Sequence, residues 1–327
     1  MKISDIRKMT HNFPNLNAQS DEAQPNQFIL HLGLDPSDLY QELEMESRFV
    51  DTHQDTTHSN SSVQLHSHSF YELLYCRSTS GVEYLVGSDR YKLQKGDLIF
   101  VPPDVSHRPI LPERMTEPYV RDVLWISEEF FHQICTLFTA FSPESIAKTS
   151  LLRTAGTRWE YLGELFHNGV LEADRRQAGW EVAVLANTAT ILTHLLRASE
   201  DVSARPLKAE KPELLDQVLA YVEEHLAEKI TMADVAHHFF ISESTITQTF
   251  RKKMGVSFYR CVTQRRLIAA KALIERGIAL EAVAEQVGFS DYSSFFRAFK
   301  QEYGISPRQF RKMSIASAEA KAASFTL

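Results

Sequence analysis

Cysteine is scarce in this chain of 327 residues: there are three, Cys76, Cys135 and Cys261, odd in number and scattered. That excludes a disulfide framework and points to a reducing compartment. Long apolar runs are missing too, since none approaches the ~18 residues a membrane span needs. The opening stretch MKISDIRKMTHNFPNLNAQS has no apolar core and no cleavage pattern, so it does not read as a signal peptide. A cytoplasmic protein with no membrane partner is expected. Positive charge is not in excess either: the net charge is −7, which for the chain as a whole argues against a polyanionic partner. What is present is ordinary for a globular protein, with 43% hydrophobic and 24% charged residues. The length implies two domains with connections rather than one core.

The charge is unevenly distributed. Glu243 to Met313 holds 13 Lys and Arg against 6 Asp and Glu, which leaves −14 on the remainder. A basic end on an acidic body is the asymmetry expected when one region meets phosphates and the rest does not.

Along the chain, residues 1–40 read as a polar arm. From 41 to 126 short apolar segments alternate with turn residues. Leu43, Met45 and Phe49 alternate with charge as a half-buried strand, DTHQDTTHSNSS looks like a loop, and SVQLHSH, YELLYCR, VEYLVG, RYKLQ, DLIFVP and VRDVLWI follow as strands. This spacing predicts a small antiparallel barrel or sandwich. Residues 127–200 turn helical, opening at Ser127 with two Glu behind it as an N-terminal signature. Two amphipathic segments occupy 159–198, and the second is apolar around much of its circumference. It must be buried against a partner subunit, a barrel face or the preceding helix, and a homodimer is the reading favoured here. Residues 201–212 read as a linker and 314–327 as a frayed tail. The fold class is thus α+β and multidomain: an N-terminal β-barrel with a helical dimerisation segment, then an all-α C-terminal domain.

That C-terminal domain, 213–313, contains an internal repeat. ITMADVAHHFFISESTITQTFRKKMGVS (Ile230–Ser257) and ALEAVAEQVGFSDYSSFFRAFKQEYGIS (Ala279–Ser306) each carry a short helix centred on Val-Ala, a tight turn and a second helix. Each second helix ends in an aromatic plus a basic residue and then Gly-x-Ser. Thr231 with Asp234 forms a capping-box-like start. The small alanine lets the helices cross closely, and Gly288 suits a left-handed turn. Phe250 and Phe299 are expected in the core, with Gly255 and Gly304 as helix stops. Such a pair projects its second helix outward, where it fits a major groove. FYRCVTQRRLIAAKALIERG between the copies reads as one long helix. Phe240 stands where the second copy has Gly288, which questions the first turn.

The arrangement resembles the AraC/XylS family of transcriptional regulators over about 100 residues, most specifically in AVAEQVGFSDYSSFFRAFKQEYGISPRQFR, residues 282–311. The resemblance implies sequence-specific binding of double-stranded DNA, control by a small effector, activation of transcription and RNA polymerase as a partner. Carried over by position, it places base contacts at Ser244, Thr247 and Gln248 in the first unit. In the second unit they fall at Tyr292, Ser293, Ser294 and Arg297. Gln248 suits adenine and Arg297 guanine, each bidentate. Arg251, Lys252, Lys253 and Lys300 suit phosphates.

In the N-terminal part, HSHSFYE spaces His66, His68 and Glu72 as HxHx3E, with both histidines on one strand face. Gly96, Pro102, Asp104 and His107 follow in a second spacing. Together these resemble the cupin fold, whose enzymes hold a divalent metal with the residues matching His66, His68, Glu72 and His107. Three readings stay open for these four: effector-binding groups, metal ligands, or a buried structural network. Arg77 and Tyr84, with Tyr71, are further effector-pocket candidates, and Trp125 is read as core packing. The regulator context implies no catalysis and no required cofactor, with a carbohydrate as the leading effector class.

Overall fold

The structure, a computed structural model, describes residues 45–57, 65–79, 81–112, 114–138, 141–142, 146, 151–201, 205–206 and 208–323. The expected arm at 1–40, Leu43 and residues 58–62 of the DTHQDTTHSNSS loop lie outside them. The chain divides into two compact units. One comprises Ser47–Glu224 with Ile230–Cys261; the other gathers His225–Lys229 with the chain from Val262.

The first unit is built on two sheets. The larger contains β1 (Val50–Thr57), β2 (Phe70–Ser78), β5 (Asp97–Val101), β7 (Tyr119–Ser127), β8 (Leu151–Arg153) and β9 (Arg205–Pro206), in the order β1-β7-β2-β5-β8-β9 with antiparallel pairing. The smaller has the order β4-β3-β6, from β3 (Glu83–Val86), β4 (Asp89–Lys92) and β6 (His107–Ile110). Alternation along β2 and β7 sends Leu73, Tyr75, Leu124 and Ile126 to one face. There they meet Phe131 and Ile134 of helix α1 (Glu128–Leu137), Leu162 and Phe166 of α2 (Leu162–Arg175), and Val184, Ile191, Leu192 and Leu195 of α3 (Trp180–Ser199). The apolar face of α3 is therefore covered by its own sheet and by α2. The side left outside carries Val182, Ala186, Ala189 and Thr190.

β8 falls in the stretch read as helical and β9 in that read as a linker, drawn into strands by pairing, β8 onto β5 and β9 onto β8. Three more strand expectations change. The first strand is Val50–Thr57, falling on residues read as loop, whereas 45–49 are irregular. Its polar residues are satisfied across the ladder, with Gln54 Nε2 donating to Asp122 Oδ1 at 2.9 Å and Arg121 pairing with Asp55 at 3.0 Å. β6 falls on residues not read as a strand; its Pro109 is tolerated since β6 is the edge of its sheet. SVQLHSH contributes only a bridge between His66 and His107. Ser127 does cap α1, its Oγ accepting from Phe130 N at 3.2 Å.

Helices follow: α4 (Leu214–Glu224), α5 (Met232–His238) and α6 (Glu243–Met254), then α7 (Phe258–Glu275), within which the two units divide. In the second unit, α8 (Leu280–Gln286), α9 (Tyr292–Tyr303) and α10 (Pro307–Ala323) enclose a core of Val283, Ala284, Phe295, Phe299 and Phe310. The residues after 313, read as a frayed tail, continue α10 to Ala323.

Candidate nucleic-acid interface and effector site

The second helix of each pair is capped by a side chain, and so is the first helix of the first pair, whereas α8 starts at Ala279 without a side-chain cap. Thr231 Oγ1 accepts from Asp234 N at 3.1 Å and so caps α5. Ser242 and Asp291 cap α6 and α9, accepting from Thr245 N at 3.2 Å and Ser294 N at 2.7 Å. Those hydrogen bonds and those of the Ser290 and Ser294 hydroxyls hold the Asp291 carboxyl below its ordinary range. Between the helices the chain reverses through a left-handed residue, Phe240 at φ +55° in the first pair and Gly288 at φ +83° in the second. The closing bonds match: Ile241 N to Ala236 O at 3.0 Å and Phe289 N to Ala284 O at 2.9 Å. An aromatic at the first turn thus gives the same geometry as glycine at the second. Phe250 and Phe299 are buried, as their apolar spacing requires, and Gly255 and Gly304 close α6 and α9.

The structure sorts the residues selected for DNA contact. Ser244, Gln248, Arg251 and Lys252 are exposed along α6, and Ser293, Arg297 and Lys300 along α9. Thr247 is half-buried, its hydroxyl donating to Glu243 O at 3.0 Å. Ser294 donates to Asp291 Oδ2 at 2.8 Å, and Tyr292 packs against Phe295 and Phe296. These three are engaged within their own helix or cap. Lys253 does not stand apart for a phosphate: it pairs with Glu213 at 3.3 Å and approaches Glu83 at 3.8 Å.

Between the two sheets of the first unit lies a buried acid–histidine cluster. Glu72 faces Trp125 across the β2–β7 ladder, and its Oε1 accepts the indole N–H at 2.8 Å. Trp125 is thus a polar partner as well as packing. The other oxygen, Oε2, stands 3.1 Å from His107 Nε2 and 3.7 Å from His68 Nε2. Burial would raise the Glu72 carboxyl, but His107 and His68 beside it hold it well below the usual carboxylate range. Burial lowers His68 against the pull of Glu72. Both Nδ1 atoms lie 2.8 Å from backbone carbonyls, those of Phe70 and Val105. Ligand atoms of His68, Glu72 and His107 all fall within 4.8 Å of one another.

The remaining candidates divide by strand parity. Tyr84 is buried beside His107, whereas His66 pairs with the His107 backbone and sets its ring 4.3 Å from the His107 ring, outside the three-residue group. Arg77 and Tyr71 lie on the helix-packed face. Arg77 donates to Asp122 Oδ2 at 2.5 Å and to Gly163 O at 3.0 Å, and Tyr71 stacks on Phe131 at 4.2 Å. Sequence reasoning missed Tyr119, fully buried with its hydroxyl unpartnered among the described residues. Its alternation with Arg121 on one face of β7 was the available signal.

The small sheet has a second face. Tyr84 and His107 look inward, and their neighbours Glu83 and Arg108 look outward, toward helices of the same unit. Arg108 Nη1 donates to Met254 O, at the end of α6, at 2.9 Å. Arg90, nearly fully buried, joins Glu83 at 2.8 Å, Glu213 at 3.0 Å and Asp216 at 3.1 Å.

Two helix pairs with capped second helices, following a sheet-rich domain with a polar interior, define a helix-turn-helix regulator with a ligand-binding domain. Residues 52–166 match the AraC-like ligand binding domain, and residues 235–313 match the helix-turn-helix domain, together more than half of the chain. The chain belongs to the AraC family of DNA-binding transcriptional regulators. The probable transcriptional regulator LumQ of Photobacterium leiognathi is 39% identical over 104 residues, 31% of this chain and 42% of LumQ. This chain thus spans less than half of that relative's length. The HTH-type transcriptional activator RhaS of Salmonella arizonae is 25% identical over 249 residues, 76% of this chain and 87% of RhaS. Apo ToxT of Vibrio cholerae is a solved structure similar to this one at 12% identity, over 83% of this chain and 99% of that one, with a TM-score of 0.37. The matched domains and relatives are those of regulators, not enzymes. No described helix is long and apolar enough to cross a membrane.

Proposed function

We propose that this chain is a cytoplasmic homodimer that reads double-stranded DNA with α6 and α9 and activates transcription with RNA polymerase under control of a small effector. The observation carrying the DNA reading is the matched pair of capped, glycine-closed second helices, each presenting an exposed side chain suited to one base: Gln248 on α6 and Arg297 on α9. Exposed Arg251, Lys252 and Lys300 supply backbone contacts and make binding salt-dependent. Dimerisation is assigned to α2 and α3, whose outer side offers Val182, Ala186, Ala189 and Thr190 to a second copy. The effector enters between the sheets, where Glu72, His68, His107 and Tyr84 are the polar groups. A carbohydrate is the favoured class, on the likeness to sugar-responsive members of the family.

A route for the signal follows from strand parity. Whatever shifts Tyr84 or His107 inside shifts Glu83 or Arg108 outside by one residue, and these hold Lys253 and Met254 at the end of α6. An effector acts by binding one of two arrangements of these contacts more tightly than the other.

The test selects sequences bound by the full chain from random duplex DNA, with and without a panel of sugars and small acids. Enrichment of a defined site, altered by one panel member that also stabilises the protein, is the expected result. At 100 times its Kd such a ligand adds about 2.7 kcal/mol to stability. No enriched sequence under any condition would overturn the proposal.

A further inference from the structure

We propose that the ligand-binding domain carries a reversible electrostatic latch on the first helix-turn-helix pair. Glu83, Arg90 and Arg108 of the small sheet, with Glu213 and Asp216 at the start of α4, restrain the end of α6, and α6 engages DNA fully only when this contact opens. The latch rests on the reading of α6 as a DNA-binding helix and goes beyond it by naming what restrains that helix. Its parts share one face. Leu85 stands opposite both Arg90 on β4 and Arg108 on β6, and Glu83 lies two residues along β3, so all leave the small sheet on its outer side. Arg90, 3% exposed, gathers Glu83, Glu213 and Asp216. Three carboxylates outnumber one guanidinium, and Lys253 of α6 answers part of that excess, 3.3 Å from Glu213 and 3.8 Å from Glu83. Met254 is the last residue of α6, where a carbonyl has no donor within its own helix. Arg108 Nη1 fills that place at 2.9 Å, a cation on the negative end of the helix.

Two features make this a contact that opens rather than a fixed piece of core. Arg108 is buried, yet the acceptors it reaches, Met254 O and Pro109 O, are both neutral carbonyls, and burial pulls its guanidinium below the ordinary range. A buried cation held only by carbonyls is costly to keep from water, so withdrawal of α6 recovers its hydration. Lys253 is the second feature. It ends the basic run Arg251-Lys252-Lys253, and its side chain and that of Glu213 are 30% and 51% exposed. Ion pairs this open to solvent are weak and screened by salt, so duplex phosphates compete for the lysine. The restraint is also selective. Ile230–Cys261, which contains the whole first pair, belongs to the compact unit of the ligand-binding domain, whereas the second pair belongs to the other unit. The latch therefore acts on the first pair alone.

The test uses the full chain and combines Glu83→Gln with Glu213→Gln, which removes both partners of Lys253 and leaves Arg90 its pair with Asp216. Glu210→Gln with Glu224→Gln, at two exposed acids outside the latch, controls for the change in net charge. Binding to a mixed-sequence DNA duplex of about 40 base pairs is followed by fluorescence anisotropy across a salt series, and amide exchange is followed in the absence of DNA. At low salt the latch variant should bind about three- to tenfold more tightly than the charge control, the size that two weak ion pairs allow. Exchange should quicken in Glu243–Met254 and stay unchanged in Val50–Thr57. Glu213→Gln alone, at an exposed position, should shift both readouts the same way by less. Affinity no higher than that of the control would overturn the latch, as would faster exchange spread evenly over both elements, which marks plain loss of stability. Equal binding by all the proteins refutes the latch and leaves the proposed function standing. No duplex binding by any of them refutes the proposed function; faster exchange confined to α6 would then still support the restraint, and unchanged exchange would end it.

Discussion

The two turn residues show how much one side chain contributes. Phe240 is 92% exposed, so its ring gains almost nothing from burial while its backbone sits in the left-handed region. For an L-residue that conformation costs about 1–2 kcal/mol. Glycine removes this cost but adds about 0.4–1 kcal/mol of freedom to the unfolded chain. Strain relief is the larger effect, so Phe240→Gly should stabilise the first helix pair by about 0.5–1 kcal/mol in chemical denaturation. A loss of stability would mean the ring packs in a way the structure does not show. Gly288→Ala should have the opposite sign, because a Cβ there would lie 2.4 Å from Leu226 O in addition to the backbone strain. A cost of about 2 kcal/mol or more is expected. At this scale the sequence was readable wherever chemistry is local. Thr231 with Asp234, Ser127, Gly255 and Gly304 act on backbone within a turn of themselves, and each stands where its type implies. Partnerships across strands were not readable. That Trp125 holds Glu72, or that Arg77 turns away toward Asp122 and Gly163, depends on register between segments 45 to 86 residues apart.

At the scale of elements, strands with clean alternation were recognised and those with mixed composition were not. β1 escaped because its residues are mostly Asp, His, Gln and Thr on both faces, whose pairing depends on β7 rather than on any feature of β1 itself. Its stability should consequently depend on pH. Burial pushes the Asp55 carboxyl up, but the hydrogen bond from His53 and the charge of Arg121 overturn that and bring it to about 2, from an ordinary 3.8. A carboxylate lowered in the folded state stabilises above its ordinary pKa, and that contribution is lost as the pH falls toward 2. Hydrogen-exchange protection of the Val50–Thr57 amides should therefore decline between about pH 4 and pH 2. Asp55→Asn should flatten that decline. Unchanged pH dependence in the variant would assign it to another group. β6 illustrates the converse. It contains Pro109, whose missing N–H is without consequence at an edge position. The helices were more legible because their 3.6-residue periodicity belongs to one segment, but what covers α3 was not. Apolar character around that helix fitted a partner as well as a sheet, and the sheet and α2 cover its buried side.

For the whole molecule, the acidic body and basic end visible in the charge distribution correspond to a ligand-binding domain and a DNA-binding domain. The two helix-turn-helix pairs share one design but not one reading capacity. In the proposed reading α9 carries Arg297 for bidentate recognition and α6 carries Gln248; both are exposed, and the hydroxyls of Thr247 and Ser294 are already engaged. Specificity should be shared unevenly between them. The most direct measurement is operator affinity across a salt series and a set of single-base variants, for the unmodified chain, Arg297→Ala and Lys252→Ala. Arg297→Ala should cost about 1–3 kcal/mol and relax discrimination at one base pair. Lys252→Ala should weaken binding evenly across all sequences and reduce the salt slope by about one. Both variants binding as the unmodified chain does, with the same base preferences and the same slope, would contradict the assignment of α6 and α9 as the DNA-reading helices.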